Sequence, residues 1–287
     1  MELRVGCAMW AYKAWQGRQL PERLTRDEQL PAYAGWCNAV EGNTTFYGLP
    51  SATTVAAWAE QAPADFRFLF KLPRTVTHER RLRGADGEVG EFLELLAPLG
   101  ARAESISIQL PASFGPSNLG ALAAFVRRVP ALDPGRHRFA VEVRHPAFFD
   151  ESVARATLQR ILADEGCEWI TLDSTTLFAA PPTSDAERAA WGQKPRLPVH
   201  REAVSDRPIV RFVGRDDPHR TVAGWQPWIP VVARWLGEGR TPTVFVHTPD
   251  NVDALVLARL FHEQVRAVAP DVAALPVPAE IAPPTLF

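Results

Sequence analysis

Glu142, Arg144 and His145 stand together in "FAVEVRHPAFFD" (residues 139–150), at the end of a run otherwise apolar enough to be a buried strand. A carboxylate, a guanidinium and an imidazole so close together could serve as general base, anion clamp and general acid. Polar residues recur at the ends of other strand-like runs: Glu41, Asn43 and Thr45 in "AVEGNTTF", Lys71 in "FRFLFKL", and Gln109 in "SISIQL". Asp173 in "EWITLDS", Arg211 in "PIVRFVG" and His247 in "TVFVHT" continue the series. Glu142, His145, Asp173 and His247 are the candidate catalytic residues, with Glu142 or Asp173 as base and His145 or His247 as acid. Lys71, Arg144 and Arg211 suit an anionic ligand, because a guanidinium grips phosphate or carboxylate with a planar fork and an ammonium adds a point charge. Trp10 and Tyr12 follow the first run, where their rings would either plug the fold or stack on a sugar or base. His78, Trp225 and Trp228 are weaker candidates of the same kind.

Eight such runs must position these residues: 3–9, 39–46, 66–72, 105–110, 138–144, 168–174, 208–214 and 243–248. Segments of helical period lie between them, at 21–36, 51–61 behind a Ser51 cap, 88–99, 116–129, 151–164, 225–236 and 251–268. Strands alternating with helices over this length predict a parallel sheet closed into a single (β/α)₈ TIM-type barrel, with a doubly wound open sheet as the alternative. Residues 176–206 are long and proline-rich and read as an elaborated loop after strand six, carrying one short helix. The barrel is expected over 1–270, followed by an alanine- and proline-rich tail over 271–287.

In such barrels the site is built at the C-terminal ends of the strands. Period-two alternation sets Glu142 and Arg144 on one face and Val141 and Val143 on the other, so the charged pair is expected to point inward. The same parity groups Glu41, Asn43 and Thr45 on strand two. The competing reading is a satisfied interior ion pair that fills the barrel without doing chemistry. Asp250, in "HTPDNVDAL", reads equally as the cap of the last helix or as a ligand contact. The arginine-rich "THERRLRGADGE" is either a solvated loop or an anion-recruiting lid.

Composition narrows the classes. With 31 basic and 33 acidic residues the net charge is -2, so any preference for nucleic acid must be local. Three cysteines, odd in number and without CxxC spacing, suggest neither a disulfide framework nor structural zinc. The chain opens without a signal-like apolar region and contains no run long enough to span a bilayer, which predicts a soluble cytoplasmic protein with no membrane partner. GxxxxGK[ST], GxGxxG and GxSxG are all absent. No cofactor is predicted. Glu41, Glu142, His145, Asp173, His247 and Asp250 could still supply a divalent metal, although Lys71, Arg144 and Arg211 in the same mouth would oppose it. Three functions follow in order: an enzyme of hydrolase or isomerase type acting on a small phosphorylated, perhaps sugar-like, anion; a metal-dependent phosphodiester hydrolase or nuclease; and a non-catalytic module binding nucleic acid or protein.

"VGCAMWAYKAW", "VEGNTTFYGLPS", "FRFLFKLPRTVTHERRL", "SISIQLPASF", "FAVEVRHPAFF" and "IVRFVGR", in that order, resemble the YecE-like family, domain of unknown function seventy-two. The resemblance covers nearly the whole chain. It implies a TIM-type barrel of unassigned activity, with shared residues falling on Trp10, Glu41, Asn43, Thr45, Phe46, Tyr47, Pro50, Lys71, His78, Gln109, Pro111, Glu142, Arg144, His145, Arg211 and Gly214. Two positions depart from the pattern. Val213 stands where the family usually has histidine, and strand eight ends in "FVHTPDN", with His247, where asparagines and an aspartate are usual.

Overall fold

The computed structural model describes residues 1–133 and 137–278. Nine parallel strand segments make one sheet: β1 (Arg4–Cys7), β2 (Ala39–Gly42), β3 (Arg67–Lys71), β4 (Ala103–Gln109), β5 (Arg138–Glu142), β6 (Glu168–Trp169), β7 (Thr171–Asp173), β8 (Ile209–Val213) and β9 (Thr243–His247). Their order is β6-β5-β4-β3-β2-β1-β9-β8-β7, so the two edges are consecutive in the chain. Only Ile170 separates them, and its N–H still donates to the Val141 carbonyl at 2.9 Å. β6 and β7 are therefore halves of the expected sixth strand, one paired to β5 and the other to β8. The sheet closes into a TIM-type barrel.

Helices α1 (Arg26–Ala34), α2 (Ala52–Gln61), α3 (Asp86–Leu96), α4 (Leu119–Leu132) and α5 (Val153–Asp164) follow β1 to β5 in turn. α6 (Thr175–Phe178) and α7 (Asp185–Gln193) lie in the long connection after β7, so that loop carries two helices and not the single one expected. The segment expected as one helix at 225–236 is α8 (Pro218–Trp225) followed by α9 (Trp228–Gly237), separated at Pro227. α8 starts earlier because Asp217 caps it, accepting from the His219 and Arg220 amides, with Pro218 in the first turn. α10 (Ala254–Val268) closes the ring.

The barrel interior is layered by strand alternation. Ala39, Leu69, Ala140, Ile170, Ile209 and Phe245 form an apolar plug. Two residues further along the same strands come Glu41, Lys71, Glu142, Arg211 and His247, all buried. Residues of the other parity, among them Val40, Phe70, Val141, Phe212 and Val246, belong to the core between sheet and helices. The polar tier thus rests on an apolar floor, where its charges must satisfy one another.

Strand two stops earlier than expected. Asn43–Phe46 turn into a 3₁₀ helix. Gly42 permits the close approach of β3, since a Cβ there would lie 2.5 Å from the Phe70 ring. Thr45 fixes the turn by donating to the carbonyls of Lys71 (2.8 Å) and Gly42 (3.1 Å). Beyond α10, Val272 and Leu275 pack into the core, and Arg259 and Arg266 donate to the carbonyls of Pro276 and Val272. Residues 279–287 of the expected tail lie outside the described residues.

Candidate functional site

Arg211 is the centre of the mouth. Its Nη1 donates to Glu142 Oε2 at 2.6 Å and its Nη2 to Glu41 Oε2 at 3.0 Å. Its Nε lies 2.5 Å from Glu41 Oε1, without hydrogen-bond alignment. Arg144 takes the other oxygen of Glu142, with Nε and Nη2 both 2.7 Å from Oε1. Lys71 Nζ donates to Gln109 Oε1 at 3.0 Å and sits 3.6 Å from Glu41 Oε1. Asn43 Nδ2 donates to Glu41 Oε2 at 3.0 Å, and His247 Nε2 is 3.5 Å from the same oxygen. Five strands, β2, β3, β5, β8 and β9, thereby converge on two carboxylates, as the inward parity of Glu41, Lys71, Glu142, Arg211 and His247 requires.

Electrostatics sets the ionisation of this cluster. Burial alone would raise the carboxyl pKa values, yet Arg211, with Lys71 beside Glu41 and Arg144 beside Glu142, outweighs it. Glu41 is held well below the usual range and Glu142 down to about 2. Lys71 falls to about 8, first through burial and then through repulsion by Arg211, which Glu41 and Glu142 only partly offset. His247 falls to about 4 because burial and the neighbouring cations outweigh Glu41, so it is neutral at pH 7. Its imidazole accordingly adds no charge to the mouth.

Lys194 completes the group and has no signal in the sequence beyond being a lysine. It caps the C-terminus of α7 in extended backbone. Its pKa also falls to about 8, by burial first and then by the field of Arg211, with Glu41, Arg144 and Glu142 as the other charges it feels. Among the described residues no hydrogen bond or ion pair engages its ammonium. The segment that delivers it is strapped down by Arg215, whose Nε and Nη2 grip Glu187 at 3.1 and 2.6 Å, both side chains being buried. Arg215 also donates to the carbonyls of Ala180 and Pro181.

Other expected residues are placed elsewhere. Asp173 requires a correction: it has the opposite parity to Ile170 and Leu172 and faces the helix layer. Its Oδ2 accepts from Trp228 Nε1 at 2.8 Å and its Oδ1 from the Thr175 amide and hydroxyl. It is a structural acceptor, with both oxygens engaged. Thr45, likewise, is spent on two carbonyls and does not face a ligand. His145 caps a short 3₁₀ turn, where its Nδ1 accepts from the Ala147 amide at 3.2 Å. Its ring lies over Gly115, where an added Cβ would be 2.8 Å away. No hydrogen bond or ion pair joins it to Glu142 among the described residues, so the expected base and acid are not a coupled pair here.

His78 stands in a π-helical turn, Thr75–Glu79, a wide turn often found at functional sites. Its Nδ1 is 3.0 Å from the Thr77 hydroxyl and its ring is edge-on to Phe46 at 5.0 Å. Burial, reinforced by Arg144, Arg74 and Arg81, lowers its pKa to about 4. The arginine-rich loop is tied down at two points: Arg80 pairs with Glu88 within it, and Arg81 donates to the side chain and carbonyl of Ser113, beyond β4. Arg81 and Leu82 both take left-handed backbone, and Leu82 is thereby buried. This is a built loop more than a free lid. Asp250 caps the turn before α10, accepting from the Val252 amide at 3.0 Å. Trp225 and Trp228 are core residues.

Beside the polar tier opens a cleft of about 830 Å³, bounded by the turns after β1 and β2 and by α1 and α2. Glu41 and Asn43 form its inner end, and Trp10 and Tyr47 contribute to its walls. Trp10 is held edge-on by Trp58 at 5.1 Å and Phe68 at 6.0 Å. Tyr47 is 83% exposed, whereas Tyr12 packs edge-on against the buried Trp15, away from the cleft. Among the described residues no group of three or more His, Cys, Asp or Glu is placed to hold a metal ion.

Comparison with known proteins agrees with the architecture. The chain is 38% identical over 272 residues to "UPF0759 protein YecE" of Escherichia coli O157:H7 and equally to that of strain K12, covering 95% of this chain and 96% of each relative. A DUF72 family crystal structure from Thermotoga maritima MSB8 superposes with a TM-score of 0.64 at 20% identity, over 94% of this chain and all of that one. One from Enterococcus faecalis V583 gives 0.64 at 17%, over 98% of this chain and all of that one. At such identities these two speak for the fold alone. The family described as "Protein of unknown function DUF72" matches residues 4–281, and with a barrel, a strand order and a near-full-length relative in agreement, the chain belongs to that family.

Proposed function

We propose that this protein is an enzyme that binds a small phosphorylated or otherwise anionic molecule at the C-terminal mouth of the barrel. The charge balance of the mouth carries the reading. Lys71, Arg144, Lys194 and Arg211 face two carboxylates, Glu41 and Glu142, while His78 and His247 are neutral, which leaves a surplus of two positive charges. The buried charges Lys71 and Arg211 balance Glu41 and Glu142, so the surplus lies on the half-buried Arg144 and Lys194, where an anion arriving from solvent can meet it. Arg211 is committed to both carboxylates, so the anion falls to Lys71, Arg144 and Lys194, a narrower clamp than the sequence suggested.

The proton-transfer roles shift with it. Glu142 is too acidic and too tightly paired to be an efficient base at neutral pH, whereas lysines near pH 8 can donate a proton to a departing oxygen or accept one when neutral. Hydrolase- and isomerase-type reactions both fit this equipment. A divalent ion bridging Glu41 and Glu142 would have to displace Arg211 from both, which makes the metal-dependent phosphodiester hydrolase the weaker reading.

Calorimetric titration with inorganic phosphate tests the site. Binding is expected in the unaltered protein, and Lys71→Ala, Arg144→Ala and Lys194→Ala should each weaken it by about tenfold or more, the loss of one charge-assisted contact. No binding, or binding indifferent to all three changes, removes the proposal.

A further inference from the structure

The cleft is far larger than an inorganic anion needs, and its inner end joins the cationic tier through Glu41, whose Oε1 is 3.6 Å from Lys71 Nζ. About 830 Å³ lies within the usual range for sites that enclose an organic ligand, roughly 300 to 1,000 Å³. Met9, Trp10, Leu49, Pro50 and Trp58 make its apolar surface. Leu49 at the rim is 52% exposed, as is expected of a wall awaiting cover.

The polar groups at the inner end are acceptors. Asn43 Nδ2 is used by the Ala8 carbonyl at 2.9 Å and by Glu41, which fixes the orientation of the amide. Its Oδ1 is then buried and without a partner. Closed off from the cleft, that atom leaves the holding of a ligand there to the apolar walls. Resting on the anion-binding reading above, we infer that the ligand is bipartite. Its anionic head sits at Lys71, Arg144 and Lys194, and a planar ring fills the cleft against Trp10.

Two phosphonates separate head from ring. Calorimetry is run with methylphosphonate, with 4-aminophenylphosphonate and with aniline, none of which offers a scissile ester. The unaltered protein is compared with Ala57→Trp and Thr54→Phe, both on the cleft face of α2, so that one variant serves if the other fails to fold. The aryl compound should bind at least about tenfold more tightly than methylphosphonate, as burial of a ring predicts. Both fillings should reduce it to the level of methylphosphonate and leave methylphosphonate itself unchanged. Equal affinities, or an aryl advantage that survives both fillings, overturns the ring site while the anion site stands on methylphosphonate binding. Aniline binding that the fillings abolish, without any binding of methylphosphonate, supports the ring site and removes the anionic head. Failure of every probe overturns both.

Discussion

At the scale of the residue, the mouth contains two kinds of titrating group whose effects run in opposite directions. Glu142 has a folded pKa near 2 against an ordinary value of 4.5, so it contributes stability that is present above about pH 4.5 and lost as pH falls toward 2. Lys71 and Lys194 have folded values near 8 against 10.5. Between those limits the unfolded chain keeps protons that the folded chain has released, so their contribution to stability rises with pH across that window. Their contribution to anion binding has the other sign, because only the ammonium attracts an anion. Sulfate, whose own charge is constant from neutrality upward, should bind with flat affinity below about pH 7 and progressively more weakly above about 8. Replacing both residues by arginine should flatten the profile, and a profile unchanged by that double substitution would show that neither lysine meets the anion. Individual residue types were readable in this respect: Glu41, Lys71, Glu142, Arg144 and Arg211 follow from parity alone. Asp173 was not, because the parity of its strand is decided by Ile170 entering the apolar plug, which no local pattern announces.

At the scale of the element, the connection between β7 and β8 does more than join two strands. Glu168 pins its far end, accepting from the amides of Val204 and Ser205 and from the Ser205 hydroxyl. The Arg215–Glu187 pair anchors α7 on the side of the mouth. Arg215→Ala leaves Glu187 buried without its cation and should cost about 3 to 5 kcal/mol of folding stability, read by urea denaturation. It should also release Lys194, so anion affinity should fall even though Arg215 itself does not face the mouth. Unaltered affinity in a folded Arg215→Ala protein would separate the strap from the site. None of this was legible beforehand. Residues 176–206 show proline, charge and little periodicity, and the partner that orders them lies across the break, at Arg215. The regular βα units were legible because each carries its own period and its own caps, such as Ser51 accepting from the Thr54 amide.

At the scale of the whole molecule, the barrel closes through a strand that is broken in the middle, and the chain beyond α10 returns to the same core. Val272 and Leu275 are buried and the N-terminal ammonium donates to the Asp271 carbonyl, so the start of the segment expected as a tail is joined to the barrel. Ending the chain after Pro270 should lower stability by about 2 kcal/mol or more, the hydrophobic worth of the two side chains, with a matching drop in thermal midpoint. An unchanged midpoint would return 271–278 to the status of an appendage. No helix among the described residues is long and apolar enough to cross a membrane.

The bridge from Glu41 through Arg211 to Glu142 has a bearing on how such a mouth can diversify. The three residues belong to strands β2, β5 and β8, and removing Arg211 deprives two buried carboxylates of the cation they share, at a cost of about 3 to 5 kcal/mol, a large share of the 5 to 15 that hold an ordinary domain together. Arg211, the pivot, is therefore tied to its two carboxylates and is the member least free to change alone. Val213, apolar and paired with His247 across β8 and β9, carries no such linkage, and the neutral His247 meets the trio only through Glu41, at 3.5 Å. Of these mouth positions, Val213 is the one that can change by a single letter without stranding a charge.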